Sequence, residues 1–301
     1  MPTPCTRCKV ELSTYHRSYS GERLCPNCFK STIIERVKKT INKYKMFEWD
    51  SRIAIGVSGG KDSLVLLNIL HEIESNRPNA ELIAICIDEG IAGYRDEALR
   101  LAKKNCNKLG IEIKVKSFKE LFDVTMDEIA IQERELGTCS YCGVLRRRAL
   151  NEAAKQVNAD RLATGHNLDD MAQSVLLNLL RGDINRINSF DPRGQQLGDF
   201  IRKVKPLCEV PERETTYYSF INNIEFQSLP CPYADEAMRS DARKFLNQME
   251  YKRPGTKFIV YQTGLKIKKD QVSKILNYCE ICGTPTPGKI CRACELTTSK
   301  F

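Results

Sequence analysis

The chain has no long apolar run. Nothing in it approaches the roughly 18 consecutive apolar residues of a membrane-spanning helix, and its opening, MPTPCTRCKV, has none of the apolar stretch of a secretory signal. A cytoplasmic protein that enters no membrane is therefore expected. Two common nucleotide signatures are also missing, the Walker A pattern G-x-x-x-x-G-K-S/T and the dinucleotide pattern G-x-G-x-x-G. Those absences argue against a P-loop NTPase and a standard NAD-binding fold. Composition argues against general disorder, with 42% hydrophobic and 28% charged residues. A chain of 301 residues can bury one substantial core and carry small modules beside it. In a reducing compartment its fourteen cysteines are metal ligands or reactive thiols sooner than disulfides.

The net charge of +9 is unevenly spread. Residues 1–45 hold ten Lys or Arg against three acids, and residues 243–274 hold nine against two. The rest of the chain is net acidic. Positive charge confined to two stretches points to an extended polyanion such as nucleic acid.

Cys5, Cys8, Cys25 and Cys28 form C-x2-C-x16-C-x2-C, and Cys279, Cys282, Cys291 and Cys294 form C-x2-C-x8-C-x2-C. Each set can surround one tetrahedral zinc ion, which would supply folding free energy that so short a segment lacks. The spacing predicts an N-terminal zinc module over 1–30 and a basic helical linker over 31–50. An α/β domain over 51–242, a basic helical extension over 243–274 expected to bind RNA, and a C-terminal zinc module over 275–301 follow. Within the central domain, apolar runs at 52–58, 82–88, 111–115 and 160–165 alternate with helical patterns, including 95–108. This predicts a doubly wound, mostly parallel sheet with ligands beyond the C-terminal ends of its strands. Residues 185–200 are polar and turn-rich and are expected to form a flexible loop.

Ser58, Gly59, Gly60, Lys61, Asp62 and Ser63 stand where the first of these strands meets its helix. The glycines allow a tight turn whose amides can face a phosphate at a helix N-terminus. Lys61 can neutralise pyrophosphate, the two serines offer hydroxyls, and Asp62 can help hold magnesium. Asp88 ends the second strand, where a polar side chain could meet adenosine. Gly165, His166, Asn167, Asp169 and Asp170 follow the fourth. His166 could bond phosphate, and one aspartate could cap the next helix while the other acts at the centre.

Six cysteines lie outside the quartets. Cys86 and Cys106 read as small buried side chains, and Cys208 has no readable environment. Cys139 and Cys142 sit in a turn, GTCSYCG, ahead of Arg146, Arg147 and Arg148, which would lower thiolate pKa values if near them. Cys231 lies far away in sequence, in LPCPY. As a pair, C-x2-C could be a dithiol or half a metal site.

Taken together, the N-terminal quartet, SGGKDS, TCSYCGVLRRRAL, ATGHNLDDMAQSVLLNLLRGD, CPYA and the C-terminal quartet resemble the tRNA 2-thiolation branch of the PP-loop ATPases, the 2-thiouridine synthetases. The resemblance spans almost the whole chain. It implies ATP with Mg2+ at Ser58–Ser63, and a 4Fe–4S cluster held by Cys139, Cys142 and Cys231 with one iron free for sulfide. It further implies two Zn2+ per chain and a catalytic role for Asp170. Some relatives have Lys where this chain has Arg146, so the resemblance leaves Arg146 as a contact to substrate or phosphate. Adenylation of uridine O2 and displacement of AMP by sulfur would give 2-thiouridine. The wording CGVLRRRAL and NLLRGDI is closer to the branch acting on wobble uridine 34 than on uridine 54. A homodimer, a tRNA substrate and a sulfur donor are implied partners, the donor being sulfide or a ubiquitin-like thiocarboxylate carrier. Persulfide chemistry without a cluster, nitrogen transfer or lysidine formation by the same loop, and a non-enzymatic RNA-binding zinc protein are the alternatives.

Overall fold

The N-terminal quartet opens the chain as a hairpin, β1 (Tyr15–Arg17) and β2 (Glu22–Leu24), running straight into helix α1 (Pro26–Tyr44). Cys25 is the N-cap of that helix and Pro26 its first residue, so metal module and helix are continuous. The boundary expected at 30/31 thus falls inside α1. Phe29, Ile33, Val37 and Ile41 recur at helical spacing and are buried against the core, so the helical segment expected after the module packs on the core along its length. The computed structural model describes residues 3–75, 80–132, 136–183, 186–187, 191–194, 196, 198–233, 239–267 and 276–298. Residues 185, 188–190, 195 and 197 of the loop expected at 185–200 lie outside them.

The core is one five-stranded sheet, parallel throughout. Its strands are β3 (Arg52–Gly56), β4 (Glu81–Asp88), β5 (Glu112–Ser117), β6 (Arg161–Thr164) and β7 (Arg202–Val204). The interiors of β3 and β4 are apolar on both faces because helices cover both sides. Those helices include α2 (Lys61–Glu74), α3 (Arg95–Leu109), α6 (Thr138–Gln156) and α7 (Leu168–Leu180), with short α4 (Phe118–Phe122) and α5 (Met126–Ala130) between α3 and α6. Strand order is β5-β4-β3-β6-β7, so the winding reverses between β3 and β6. The loops after those two strands meet at that switch point, where open α/β sheets bind ligands.

Two features depart from the expected layout. Strand β7 completes the sheet, although its sequence, RKV, carries no apolar run. The basic extension expected from 243 begins inside a helix, Arg239–Lys252, and continues as helix Thr256–Lys266, which packs on α7. Gly264 lets that helix meet Val175, and Tyr261 is fully buried. The segment 256–266 is therefore a core element, and its Lys257 pairs with the buried Asp169. The C-terminal quartet surrounds hairpin β8 (Asn277–Tyr278) and β9 (Pro285–Thr286), followed by a helix, Arg292–Thr298, that rests on α6. Among the described residues no helix is long and apolar enough to cross a membrane.

Candidate active site

The loop after β3 is held by its own hydroxyls. Ser63 Oγ accepts the Ser58 amide at 3.1 Å and donates to the Gly60 carbonyl at 2.8 Å, while Ser58 Oγ accepts the Gly60 amide at 3.3 Å. Gly59 has φ of 85°, and a side chain there would collide with the Ala98 carbonyl of α3. Glycine is required on both counts. Gly60 caps α2 without a side-chain bond, so the first amides of that helix stay open to an anion. Gly165 closes the other side, since a Cβ there would lie 2.9 Å from Asp62 C and Ser63 N. The loops after β3 and β6 are thus in backbone contact around a cavity of ≈ 300 Å³. Lys61 and Asp62 line it and pair at 2.9 Å, and Thr215 Oγ1 donates to Asp62 at 2.5 Å.

The mouth of β4 contributes a residue that sequence reading passed over. Asp88 accepts the Gly90 amide at 2.9 Å in a turn and does not line the cavity. Its neighbour Glu89 does, almost fully buried between two guanidiniums: Arg95 Nε at 2.7 Å and Arg146 Nε at 2.7 Å. Buried Arg95 goes on to donate to the Ser58 carbonyl at 2.9 Å and the Ile87 carbonyl at 2.5 Å. Arg146 donates to Cys142 Sγ at 3.0 Å. A continuous run of ion pairs and hydrogen bonds therefore links the glycine loop to Cys142. In sequence, Glu89 and Arg95 look like ordinary solvated charges in DEGIAGYR. Only their alternation with Asp88 at a strand end hinted at an inward side chain.

After β6, Asn167 and Asp170 form a reciprocal capping box on α7: Asp170 N–H donates to Asn167 Oδ1 at 3.1 Å, and Asn167 N–H to Asp170 Oδ2 at 3.2 Å. Asp170 also lines the cavity beside Arg239, 3.4 Å away. Burial raises its pKa from 3.8 to about 6, with Arg239 opposing. Asp169 points the other way, accepting the Glu212 amide at 2.8 Å as well as pairing with Lys257. The two adjacent aspartates have split into a cavity residue and a brace. His166 lines the cavity and bonds Thr164 Oγ1 at 2.8 Å. Its ring keeps an exposed edge, but desolvation at the cavity wall, with Lys205, Arg239, Lys203 and Arg146 around it, lowers its pKa to about 3, which favours the neutral ring near pH 7.

The three isolated cysteines come into one neighbourhood. Cys139 Sγ donates to the Tyr233 carbonyl at 3.2 Å, two residues beyond Cys231. Cys142 and Cys231 pack against the same apolar cluster and interact electrostatically. Burial pushes the Cys142 thiol up, and Arg146 pulls it partly back. Of the three arginines expected to act on these thiols, Arg146 is the one that bonds a thiol among the described residues; Arg148 pairs with Glu152 at 3.2 Å. Cys86, Cys106 and Cys208 are fully buried, and burial raises all three thiols. Cys208 accepts a bond from the Tyr261 hydroxyl at 3.4 Å.

Each quartet gathers its four sulfurs within 4.8 Å of one another. Around one zinc, with Zn–S near 2.3 Å, tetrahedral geometry spaces sulfurs about 3.8 Å apart. Cys8 and Cys25 lie 3.9 Å apart and Cys282 and Cys291 3.6 Å. Both sets match a single tetrahedral ion.

Residues 29–250 match the PP-loop domain family. A probable sulfurtransferase of Methanocaldococcus jannaschii is 39% identical over 287 residues, covering 93% of this chain and 84% of the relative. The cytoplasmic tRNA 2-thiolation protein 1 of Laccaria bicolor is 35% identical over 300 residues, covering 98% and 85%. The solved structure of the U34-tRNA thiolase NcsA from Methanococcus maripaludis, with its 4Fe–4S cluster, agrees with a TM-score of 0.88 at 32% identity, covering 100% of this chain and 97% of that one. With a domain match this long and relatives this similar along their length, the chain belongs to the PP-loop ATPase family as an ATP-using enzyme closely related to the archaeal and eukaryotic tRNA 2-thiolation proteins.

Proposed function

We propose that this enzyme is a cytoplasmic tRNA sulfurtransferase that activates the C2 oxygen of a uridine with ATP and exchanges it for sulfur, at wobble position 34. One observation carries the reading: Arg146 lines the same cavity as the SGGKDS loop and donates to Cys142 Sγ at 3.0 Å. Nitrogen transfer by a similar loop has no use for a thiol site there, and a non-enzymatic RNA binder has no use for the loop.

The chemistry balances without a reductant. Uridine O2 attacks the α-phosphorus of ATP, and the bond to the β-phosphate breaks to release pyrophosphate. Sulfide then adds to C2, the C2–O bond breaks, and AMP leaves with the oxygen. The open amides at the start of α2 and Lys61 receive the pyrophosphate, and Asp62 offers a carboxylate to magnesium. Asp170, with its pKa near 6, is suited to take a proton from the incoming sulfur species. Neutral His166 can hydrogen-bond the adenylate without adding another charge to a cationic wall.

Among the described residues, Cys139, Cys142 and Cys231 do not converge within the span that marks the quartets. That suits a polynuclear cluster, whose thiolates sit on separate irons, better than one zinc ion. A 4Fe–4S cluster held by these three residues would leave one iron without a protein ligand and so supply a place for sulfide to bind. Zinc in the two quartets would be structural.

The test is anaerobic reconstitution with ATP, magnesium, sulfide and tRNA, followed by nucleoside mass analysis. The expected products are 2-thiouridine, AMP and pyrophosphate, with the thiolated nucleoside mapping to position 34. Absence of 2-thiouridine from iron-replete enzyme, with a thiocarboxylate carrier also tried, would sink the reading. Full activity in iron-free enzyme would remove the cluster and leave persulfide transfer.

A further inference from the structure

A cleft of ≈ 1110 Å³ opens beside the nucleotide cavity and shares Arg146, Leu150, Thr164 and His166 with it. Part of its lining is cationic. Lys203 on β7 and Lys205 just beyond it are two residues apart, so both emerge on one side of the edge strand, while Val204 between them is buried. Lys203 Nζ donates to the Arg147 carbonyl at 3.3 Å, which sets the β7 charges beside those of α6. Among the described residues neither Arg147 nor Lys203 forms an ion pair. Of the two acids in the lining, Glu295 pairs with Arg292 at 2.9 Å, and Asp191 pairs with Arg193 at 2.7 Å and also attracts Lys205. Desolvation along the cleft wall lowers the pKa values of exposed Arg147 and half-buried Lys203 and Lys205, Lys203 to about 8 with Arg147 and Lys205 adding to the effect, while Cys208, Asp191 and Asp170 oppose it at Lys205. Like charges crowded in this way cost free energy unless an anion joins them.

The rest of the lining differs. Strand β9 and the turn after it, from the C-terminal four-cysteine module, present Pro285 and Pro287 together with Phe200. A cationic wall with an apolar surface in one cleft suits a phosphodiester and the base it carries. The volume exceeds the roughly 300–1,000 Å³ of small-ligand pockets, which favours a polymer over a second ATP. ATP already has the open helix terminus at Gly60.

We infer that Arg147, Lys203 and Lys205 form a second anion site, for the RNA phosphodiester that flanks the reacting nucleotide. The inference rests on the reading of this enzyme as acting on tRNA. A strand lying in the cleft can pass one nucleoside by Thr164 and His166 toward the SGGKDS loop while its neighbouring phosphate stays with the three cations.

The experiment measures tRNA affinity of the full-length enzyme across a salt series from about 50 to about 200 mM, with ATP affinity measured alongside. For Lys203→Gln, Lys205→Gln and Arg147→Gln, each lost contact is expected to reduce the slope of log affinity on log salt by about 1 and to weaken tRNA binding about tenfold at low salt. ATP affinity stays at the parent value, and Lys203→Arg restores the slope. Parent slope and affinity in all three variants would overturn the site. So would an equal loss of ATP affinity, which would assign these cations to the nucleotide. A parent enzyme that binds no tRNA at any salt would instead overturn the tRNA reading, and this inference with it.

Discussion

Replacing Asp170 by Asn should make the protein more stable near neutral pH while abolishing thiolation. The carboxyl lines the cavity with its side chain only 23% exposed, and burial raises its pKa from 3.8 to about 6. Between those values the folded state binds a proton that the unfolded chain has released, so stability falls as pH rises through this window. Above it, the folded state carries an ionised group in a poor solvent at a cost of about 3 kcal/mol. The amide is neutral at every pH, and its oxygen can still accept the Asn167 amide of the capping box. The attraction to Arg239 is already contained in the raised pKa. Asp170→Asn should therefore gain about 3 kcal/mol at pH 7.5 and about half that at pH 5. Thermal midpoints at matched zinc and iron content read this as a rise of about 5 °C at the higher pH. A variant no more stable than the parent at pH 7.5, or one whose gain is undiminished at pH 5, would refute the reasoning. Loss of stability at both pH values would mean that Asp170 serves chiefly as a cap.

The other predictions concern the walls of the same cavity. Glu89→Gln keeps the shape but turns an amide N–H toward one of two guanidiniums; we expect about 2–4 kcal/mol lost in urea unfolding. Its thiolation rate should fall further than its ATP affinity, because Arg95 keeps the Ser58 and Ile87 carbonyls whereas Arg146 loses its anchor. Equal losses in both would show that Glu89 acts on the fold alone. Gly165→Ala places a methyl 2.9 Å from the backbone of Asp62 and Ser63, which must move. ATP affinity measured by calorimetry should drop, with destabilisation of about 1–3 kcal/mol; a parent-like Kd would mean that the loops are not braced against each other. Activity measured between pH 6 and 8 should show no ionisation that disappears in His166→Gln, because that ring stays neutral throughout the range.

Much of this site could be read in the chain, and the parts that could not share a physical cause. Strands β3 and β4 announce themselves because burial on both faces demands continuous apolar runs. Strand β7 is an edge of three residues, so its Arg202 and Lys203 look like loop charges. The loop Ser58–Ser63 is legible because its chemistry is local. The gathering of Cys139 and Cys142 with Cys231 cannot be read from spacing, since 89 residues separate Cys142 from Cys231 and only tertiary packing joins them; the family resemblance alone implied it. Asp88 and Glu89 show how narrow the margin is: one step along a strand exchanges a turn acceptor for a buried counter-ion. Lys257 shows the reverse error of scale, a basic residue in a basic segment whose charge is consumed inside the fold.

The two cysteine quartets, alike in sequence, differ in what they support. Arg17 of the N-terminal module is buried and donates to Glu214 at 2.8 Å and Glu22 at 2.7 Å; Glu214, also buried, accepts from Tyr19 at 2.6 Å and Arg36 at 2.8 Å. A carboxylate so fully enclosed persists only with its partners in place, since removing one would leave an unpaired buried charge costing about 3–5 kcal/mol. Glu214 lies one residue before Thr215, whose hydroxyl holds Asp62. Through helix Glu212–Ile221, the first module is braced directly against the nucleotide loop. The C-terminal module has no such buried ion cluster among the described residues; its helix rests on α6, which carries Cys142, Arg146 and Arg147, and its hairpin faces the cleft. Loss of zinc at one end should therefore disturb the phosphate end of the cavity first, and loss at the other the thiol and RNA end. Metal bound in both quartets would hold the two walls of the cavity at β3 and β6 in register from opposite sides of one five-stranded sheet.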